Sequence, residues 1–191
     1  MPSKSIFLSY TNQDKAIVDK IDQCLQNYGY EVVRDIRNLS SWDNLDQFMR
    51  SIRKCDYVVP IVSDAYLRRE NCLYEIMQLL KDEEYQKKTF PVVIEFPTGS
   101  GQSMFKPFYI LSIVNHWQDE ANQFEEALAK IKRENSAELD KRYRQLKQMA
   151  QHASEFLDRF FREYLSEVII PEKPEISKVA ETINDKISSL N

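Results

Sequence analysis

The run Tyr57-Val58-Val59-Pro60-Ile61-Val62, closed by Asp56 and Ser63, is the most hydrophobic stretch of the chain. A strand with one wet face alternates apolar and polar side chains, so a run without a polar residue is covered on both faces. Its shortness and its β-branched residues make it a central strand of a parallel sheet. Pro60 is the local objection, because proline cannot donate to a ladder. Similar short runs occur at 5–10, 30–34 and 89–96, and 109–117 reads as a fifth strand. Helical patterns lie between them. Ile17, Ile21, Leu25 and Tyr28 share one face, with Thr11 or Asn12 as the cap and Gly29 placed to end the helix. Residues 46–54 form a short amphipathic helix, and Cys72, Ile76, Leu79 and Leu80 mark another over 71–84.

Strands alternating with helices imply right-handed crossovers. The expected fold is α/β: a flavodoxin-like open parallel sheet of about five strands with helices on both faces, plus a helical C-terminal extension. Ligands of such sheets bind beyond the carboxyl ends of the strands. Here those ends are Ser9-Tyr10-Thr11, Asp35-Ile36-Arg37, Ser63-Asp64 and Glu95-Phe96. A phosphorylated receiver domain shares the layout, but needs an acidic pair after strand one and an aspartate ending strand three. Tyr10-Thr11 and Ser63 stand there instead, which excludes it.

From about Asp119 the pattern is helical only. Leu139, Tyr143, Leu146, Ala150, Ala153, Leu157, Phe160 and Tyr164 recur at spacings of four and three, a heptad-like seam about 40 Å long. It serves either to pack on the chain's own helices or to join copies of the chain. Ile176, Val179, Ile183 and Ile187 define a last helix over 175–190. The expected division is an α/β domain over 1–133 and a helical extension over 134–191. If the last helix packs back on the α/β domain, 134–170 becomes an insertion.

Composition narrows the chemistry. Three glycines, Gly29, Gly99 and Gly101, leave no cluster from which a phosphate cradle could be built, and two histidines leave no paired-histidine zinc site. No metal and no cofactor is expected. The net charge of −4 is spread without a basic arm, and the run Lys130-Ile131-Lys132-Arg133 suits a helix C-terminus, so no nucleic-acid partner is expected. No apolar run reaches the roughly 20 residues of a membrane span. Cys24, Cys55 and Cys72 form no CxxC pair, and no leader-like segment precedes the first strand. These point to a reduced, cytoplasmic protein without membrane contact.

Glu75 is the candidate catalytic residue. It lies three positions after Cys72 and four before Leu79, at the edge of an apolar stripe and on the side of the expected cleft. Position alone also allows an ordinary solvated carboxylate. The boxes around it carry more. Ile6-Phe7-Leu8-Ser9-Tyr10-Thr11 with Asp14 resembles the opening box of Toll/interleukin receptor (TIR) domains, an apolar strand followed by Ser-Tyr and an acidic residue. Asp35 resembles the second box, at the start of the long loop after strand two. The stretch from Arg53 to Ser63, then Tyr66-Leu67 and Cys72-Leu73-Tyr74-Glu75-Ile76, resembles the third strand and the Cys-x-x-Glu-aliphatic helix of that family. The series spans roughly 4–118 in the family's order.

The resemblance implies an activity. In the catalytic branch of the family the glutamate of this helix serves cleavage of the nicotinamide–ribose bond of NAD, and the matching residue is Glu75. NAD is then substrate rather than cofactor. Tyr10 and Thr11 would border the adenine or ribose, Arg37 would meet the diphosphate, and Trp42 would stack on a ring. Asp35 shares their loop, and Ser63, Tyr66 and Cys72 would line the mouth. Arg37 and Trp42 read equally as a solvated arginine and a loop anchor, and Ser63 as a helix cap. The resemblance also implies self-association through the loops, with the 139–165 helix as a further means. A downstream effector would sense a linear or cyclic ADP-ribose product in bacterial anti-phage defence. Asn71 departs from the tryptophan of many active relatives, and the loop after strand two lacks a glycine often found there. Two other readings stay open: a non-catalytic TIR interaction module, and an enzyme like the nucleoside deoxyribosyltransferases.

Overall fold

A computed structural model describes residues 3–34, 52, 54–81, 83–94, 107–130, 137–163, 167–169 and 176–190. Ser5–Ser9 (β1), Glu31–Arg34 (β2), Tyr57–Val62 (β3), Val92–Ile94 (β4) and Glu167–Ile169 (β5) form one parallel sheet in the order β2-β1-β3-β4-β5. The helices are Lys15–Asn27 (α1), Asp64–Leu67 (α2), Glu70–Leu79 (α3), Glu83–Lys87 (α4), Pro107–Ala129 (α5), Ala137–Glu163 (α6) and Ile176–Ser189 (α7). The open α/β sheet expected from the alternation is present, with β3 at its centre.

Period-two alternation divides the strand side chains between two faces. Ile6, Leu8, Tyr57, Val59, Ile61, Val92 and Ile94 meet Val18, Ile21 and Leu25 of α1 and Ile176, Val179, Ala180, Ile183 and Ile187 of α7. Phe7 and Val58 point the other way, onto Ile52, Cys55, Leu79 and Tyr85. All six residues of β3 are buried, as a strand covered on both faces requires. Each fully buried branched or aromatic side chain contributes about 1.5–3 kcal/mol against chain entropy.

Pro60 is tolerated for a specific reason. The Val58 N–H donates to the Lys88 carbonyl at 2.9 Å, on the β4 side. Pro60, two residues on, faces the same side. Its missing donor therefore falls between the isolated Val58–Thr89 bridge and the start of β4 at Val92. Pro91 occupies the same interval, so β4 begins at Val92 rather than at the expected Thr89, and Glu95 and Phe96 lie outside the described residues. At the other end of the sheet the chain direction turns on Gly29, whose φ is +88°. The Tyr30 N–H bonds the Leu25 carbonyl and the Gly29 N–H bonds the Gln26 carbonyl, a Schellman closure of α1.

Asp56 ties the first ends of β1 and β3 together. Its Oδ2 accepts from the Ser5 N–H at 2.7 Å and from the Ser5 hydroxyl at 2.9 Å, and the Asp56 N–H donates to Ser5 Oγ at 3.1 Å. The Ser5 backbone bond leads the causes that hold this carboxyl below its usual value of 3.8. A depressed carboxylate contributes stability that is present above the unfolded value and lost as pH falls through the folded one. Asp56→Ala is thus expected to be less stable than wild type at about pH 6, with the gap closing in acid once wild-type Asp56 is protonated. Urea midpoints across that range check it; a gap independent of pH contradicts it.

Three expectations need correction. Residues 109–117 are not a strand but lie inside α5, where Tyr109, Ile113, Val114, Trp117 and Ala121 are buried at helical spacing. Pro107 opens this helix at a position that needs no N–H donor. The fifth strand is Glu167–Ile169. The helix expected over 71–84 ends at Leu79, and α4 is separate. Finally, the chain divides into units of residues 1–97 with 164–191 and of residues 98–163, in place of a boundary at 133/134. The second unit is inserted between β4 and β5, and α7 packs on α1 in the first.

Within the second unit α5 and α6 run antiparallel. Gln118 and Gln151 line one groove with Glu125 and Tyr143, and the Arg142 guanidinium carbon lies 5.4 Å from the centre of the Phe124 ring. Of the heptad-like seam, Leu146, Ala153, Leu157 and Phe160 are buried in the single chain, with Met149 beside them, while Leu139, Tyr143 and Ala150 are half-buried. Much of the seam is therefore used inside the chain. Most of the helix expected over 46–54 lies outside the described residues, as does the 97–101 loop. Among the described residues no helix is long and apolar enough to cross a membrane.

Candidate active site

The carboxyl ends of β1 and β3 lie side by side, with Ser9 paired to Pro60. The straps that leave them carry Tyr10, Thr11 and Asp14 on one side and Ser63 and Tyr66 on the other. Asn12–Asp14 form a 3-10 turn, closed by the Asp14 N–H on the Thr11 carbonyl at 2.9 Å. Asp14 then stands at the N-cap of α1, where an aspartate usually caps its own helix. Its side chain makes no such bond. Instead its Oδ2 accepts from the Thr11 hydroxyl at 2.6 Å and from the Ser63 hydroxyl at 2.7 Å.

Ser63 is committed twice. Its hydroxyl donates to Asp14 and accepts from the Tyr66 N–H at 3.1 Å, which makes it the N-cap of α2. A second tie joins the Ser9 and Tyr66 hydroxyls at 3.0 Å. Ser9, Thr11, Asp14, Ser63 and Tyr66 are all at most 3% exposed. Desolvation raises the Asp14 carboxyl above its usual value, and the Thr11 and Ser63 bonds offset this only in part.

Thr11, Ser63 and Tyr66, expected at the cleft, are buried: the Thr11 and Ser63 hydroxyls go to Asp14 and the Tyr66 hydroxyl to Ser9, and Ser63 is the helix cap that its position also allowed. Tyr10 is half-buried, its ring centre 5.9 Å from the Arg34 guanidinium carbon. Arg34 is held by Asp19 at 2.6 Å and Asp22 at 2.7 Å on α1. Asp35, Arg37 and Trp42 lie outside the described residues.

Glu75 sits on α3, one short helix beyond Ser63. Of the ten residues of α3, Cys72, Leu73, Glu75, Ile76, Met77 and Leu79 are buried. Glu75 is 7% exposed and Cys72 6%. A buried glutamate is rare without a purpose, because its charge is costly away from water. The expectation of an edge position thus understated its burial. None of the three cysteines, Cys24, Cys55 and Cys72, is in a disulfide. Among the described residues no group of three or more His, Cys, Asp or Glu is placed to hold a metal ion.

A family profile described as "TIR domain" matches residues 6–131. The chain belongs to the TIR domain family. Among solved structures it is similar to the TIR domains in the structure of the activated Roq1 resistosome directly recognizing the pathogen effector XopQ. The identity is 16% and the TM-score 0.54, over 99% of this chain and 100% of that one. At that identity the likeness shows the fold. No curated protein sequence matches the chain significantly.

Sequence reasoning passed over Asp14 and Ser9 as site residues of this TIR domain. The Thr-x-x-Asp spacing of Thr11 and Asp14 does signal a local side-chain bond at a helix start. The bond from Ser63, 49 residues away, has no such signal.

Proposed function

We propose that this TIR domain cleaves the nicotinamide–ribose bond of NAD, with Glu75 as the carboxylate that faces the reacting sugar. The observation that carries this reading is a glutamate 7% exposed among the apolar buried residues of α3, at the family's Cys-x-x-Glu-aliphatic position and downstream of a central strand end. Nicotinamide leaves as a neutral base from a positively charged pyridinium, so the departing group needs little help from an acid. Positive charge develops on the ribose as an oxocarbenium ion. An ionised carboxylate held against that charge, and against the ribose hydroxyls, stabilises the transition state more than the ground state. Water then completes a hydrolysis, or a nucleophile of the substrate itself closes a cyclic product.

Tyr10 is the described aromatic side chain best placed for a base or ribose, being half-buried at a strand end. Asp35, Arg37 and Trp42 would complete the cleft from the loop after β2. Likeness to TIR domains within a resistosome supports activity in an assembled state and a defence role, with the product read by an effector in the cytoplasm. Assembly would use the loops of the α/β unit. The non-catalytic interaction module is favoured by one feature, Asn71 in place of the usual tryptophan.

Proton NMR of the whole protein with NAD, and separately with free purine and pyrimidine nucleosides, tests the reading. Nicotinamide is expected to appear from NAD, at a rate per protomer that rises with protein concentration. Base release from nucleosides alone would favour the deoxyribosyltransferase-like reading. No product from any substrate in the assembled protein would leave the interaction module.

A further inference from the structure

We infer that Asp14 is a positioning residue that clips the β1 strap to the β3 strap, and so fixes the start of the helix pair that carries Glu75. It rests on the NAD-cleaving reading for its kinetic consequence, not for its structural one. Three features of the geometry support it. The Asp14 carboxylate stands at the N-cap of α1, yet makes no bond to that helix. Both hydroxyl donors, Thr11 at 2.6 Å and Ser63 at 2.7 Å, converge on one oxygen, Oδ2. The recipient strap is held at the point where α2 begins, since the same Ser63 oxygen caps Tyr66, and α3 follows within three residues of the end of α2. Loss of the clip would free the Ser63 rotamer, then the cap, then the angle at which α3 leaves the sheet.

Convergence on a single oxygen has a sharper consequence. The clip needs one acceptor atom, not a negative charge. An asparagine can offer its carbonyl oxygen to both hydroxyls; an alanine can offer nothing. Burial raises the carboxyl above its usual value, which agrees with a charge that is tolerated rather than used. A carboxylate that exchanged protons with substrate or carried charge in the transition state would not survive conversion to an amide. Asp14 and Glu75 thus respond in opposite ways to the same change, carboxylate to amide.

The test compares Asp14→Ala, Asp14→Asn and Ser63→Ala in the full chain. Misplacing a reacting group by about 1 Å costs on the order of 10²-fold in rate. Asp14→Ala is expected to lower kcat for nicotinamide release by about that factor, with KM held within about threefold, and Asp14→Asn to recover most of the lost rate. An Asn variant as slow as the Ala variant would overturn the inference in favour of a role for the charge. A raised KM with unchanged kcat would overturn it in favour of direct substrate contact. Native-state hydrogen exchange provides a readout that does not depend on turnover. In Asp14→Ala the amides of Tyr66, Leu67 and Leu73 are expected to exchange about tenfold faster, while those of α7 keep their protection. Ser63→Ala, which removes the same link from the other strap, is expected to do likewise should the Ala variant at position 14 fail to fold. Unchanged exchange at those amides would overturn the inference even in a protein that never cleaves NAD. Faster exchange without turnover would leave the clip standing and refute only the NAD reading.

Discussion

Glu75→Gln is expected to slow nicotinamide release from NAD by about 10²–10³-fold while the protein stays folded, the loss typical of removing one preorganised electrostatic contact in a transition state. Glutamine keeps the length, the shape and one oxygen of glutamate. What it lacks is the charge that opposes the oxocarbenium ion. Because that charge matters only as the bond breaks, the loss should fall on kcat, with KM changed little. A thermal melt showing the variant fully folded at the assay temperature, alongside the kinetic loss, distinguishes a catalytic role from a structural one. A variant that loses activity only in proportion to lost folded protein contradicts it.

The second large effect lies in the inserted helical unit. Trp117 is 1% exposed on α5, on the face that also buries Ile113 and Ala121, with its ring edge-on to His116 at 4.9 Å between centres. Truncation leaves a cavity the size of an indole that neighbouring side chains fill only partly. Trp117→Ala is expected to cost about 3–5 kcal/mol of stability, and Trp117→Phe distinctly less. Hydrogen exchange should show the lost protection first in the amides of α5 and α6. A loss below about 1 kcal/mol would mean that this face of α5 is not packed as described.

Much of the sheet was legible because Tyr57–Val62 is a short, β-branched apolar run bounded by polar residues, the pattern of a strand covered on both sides. Gly29 likewise announced the end of α1, because the left-handed turn there strains any residue with a Cβ. The fifth strand was not legible. Residues 109–117 are apolar enough to hide a helical period, while the described part of β5, Glu167–Ile169, is too short to carry any period. Where the helical unit is inserted was hidden for the same reason, since the return to the sheet at β5 made no signal. At the site, Glu75 was legible through its spacing from Cys72 and its likeness to the family's helix. The clip made by Asp14 was not, since Thr11 advertises only the local half of it. The Thr11 and Ser63 hydroxyls turn inward because a buried carboxylate draws donors from whichever strap lies nearest, and the Tyr66 hydroxyl pairs with Ser9.

The central claim is that one carboxylate on α3 breaks the nicotinamide–ribose bond. The most direct measurement is nicotinamide released from the same NAD solution by wild type and by Glu75→Gln, each at a concentration where mass photometry counts assembled particles. The account predicts steady release by wild type and a rate at least about 10²-fold lower in the variant at equal assembly. Equal rates from the two proteins, or none from assembled wild type, would contradict it.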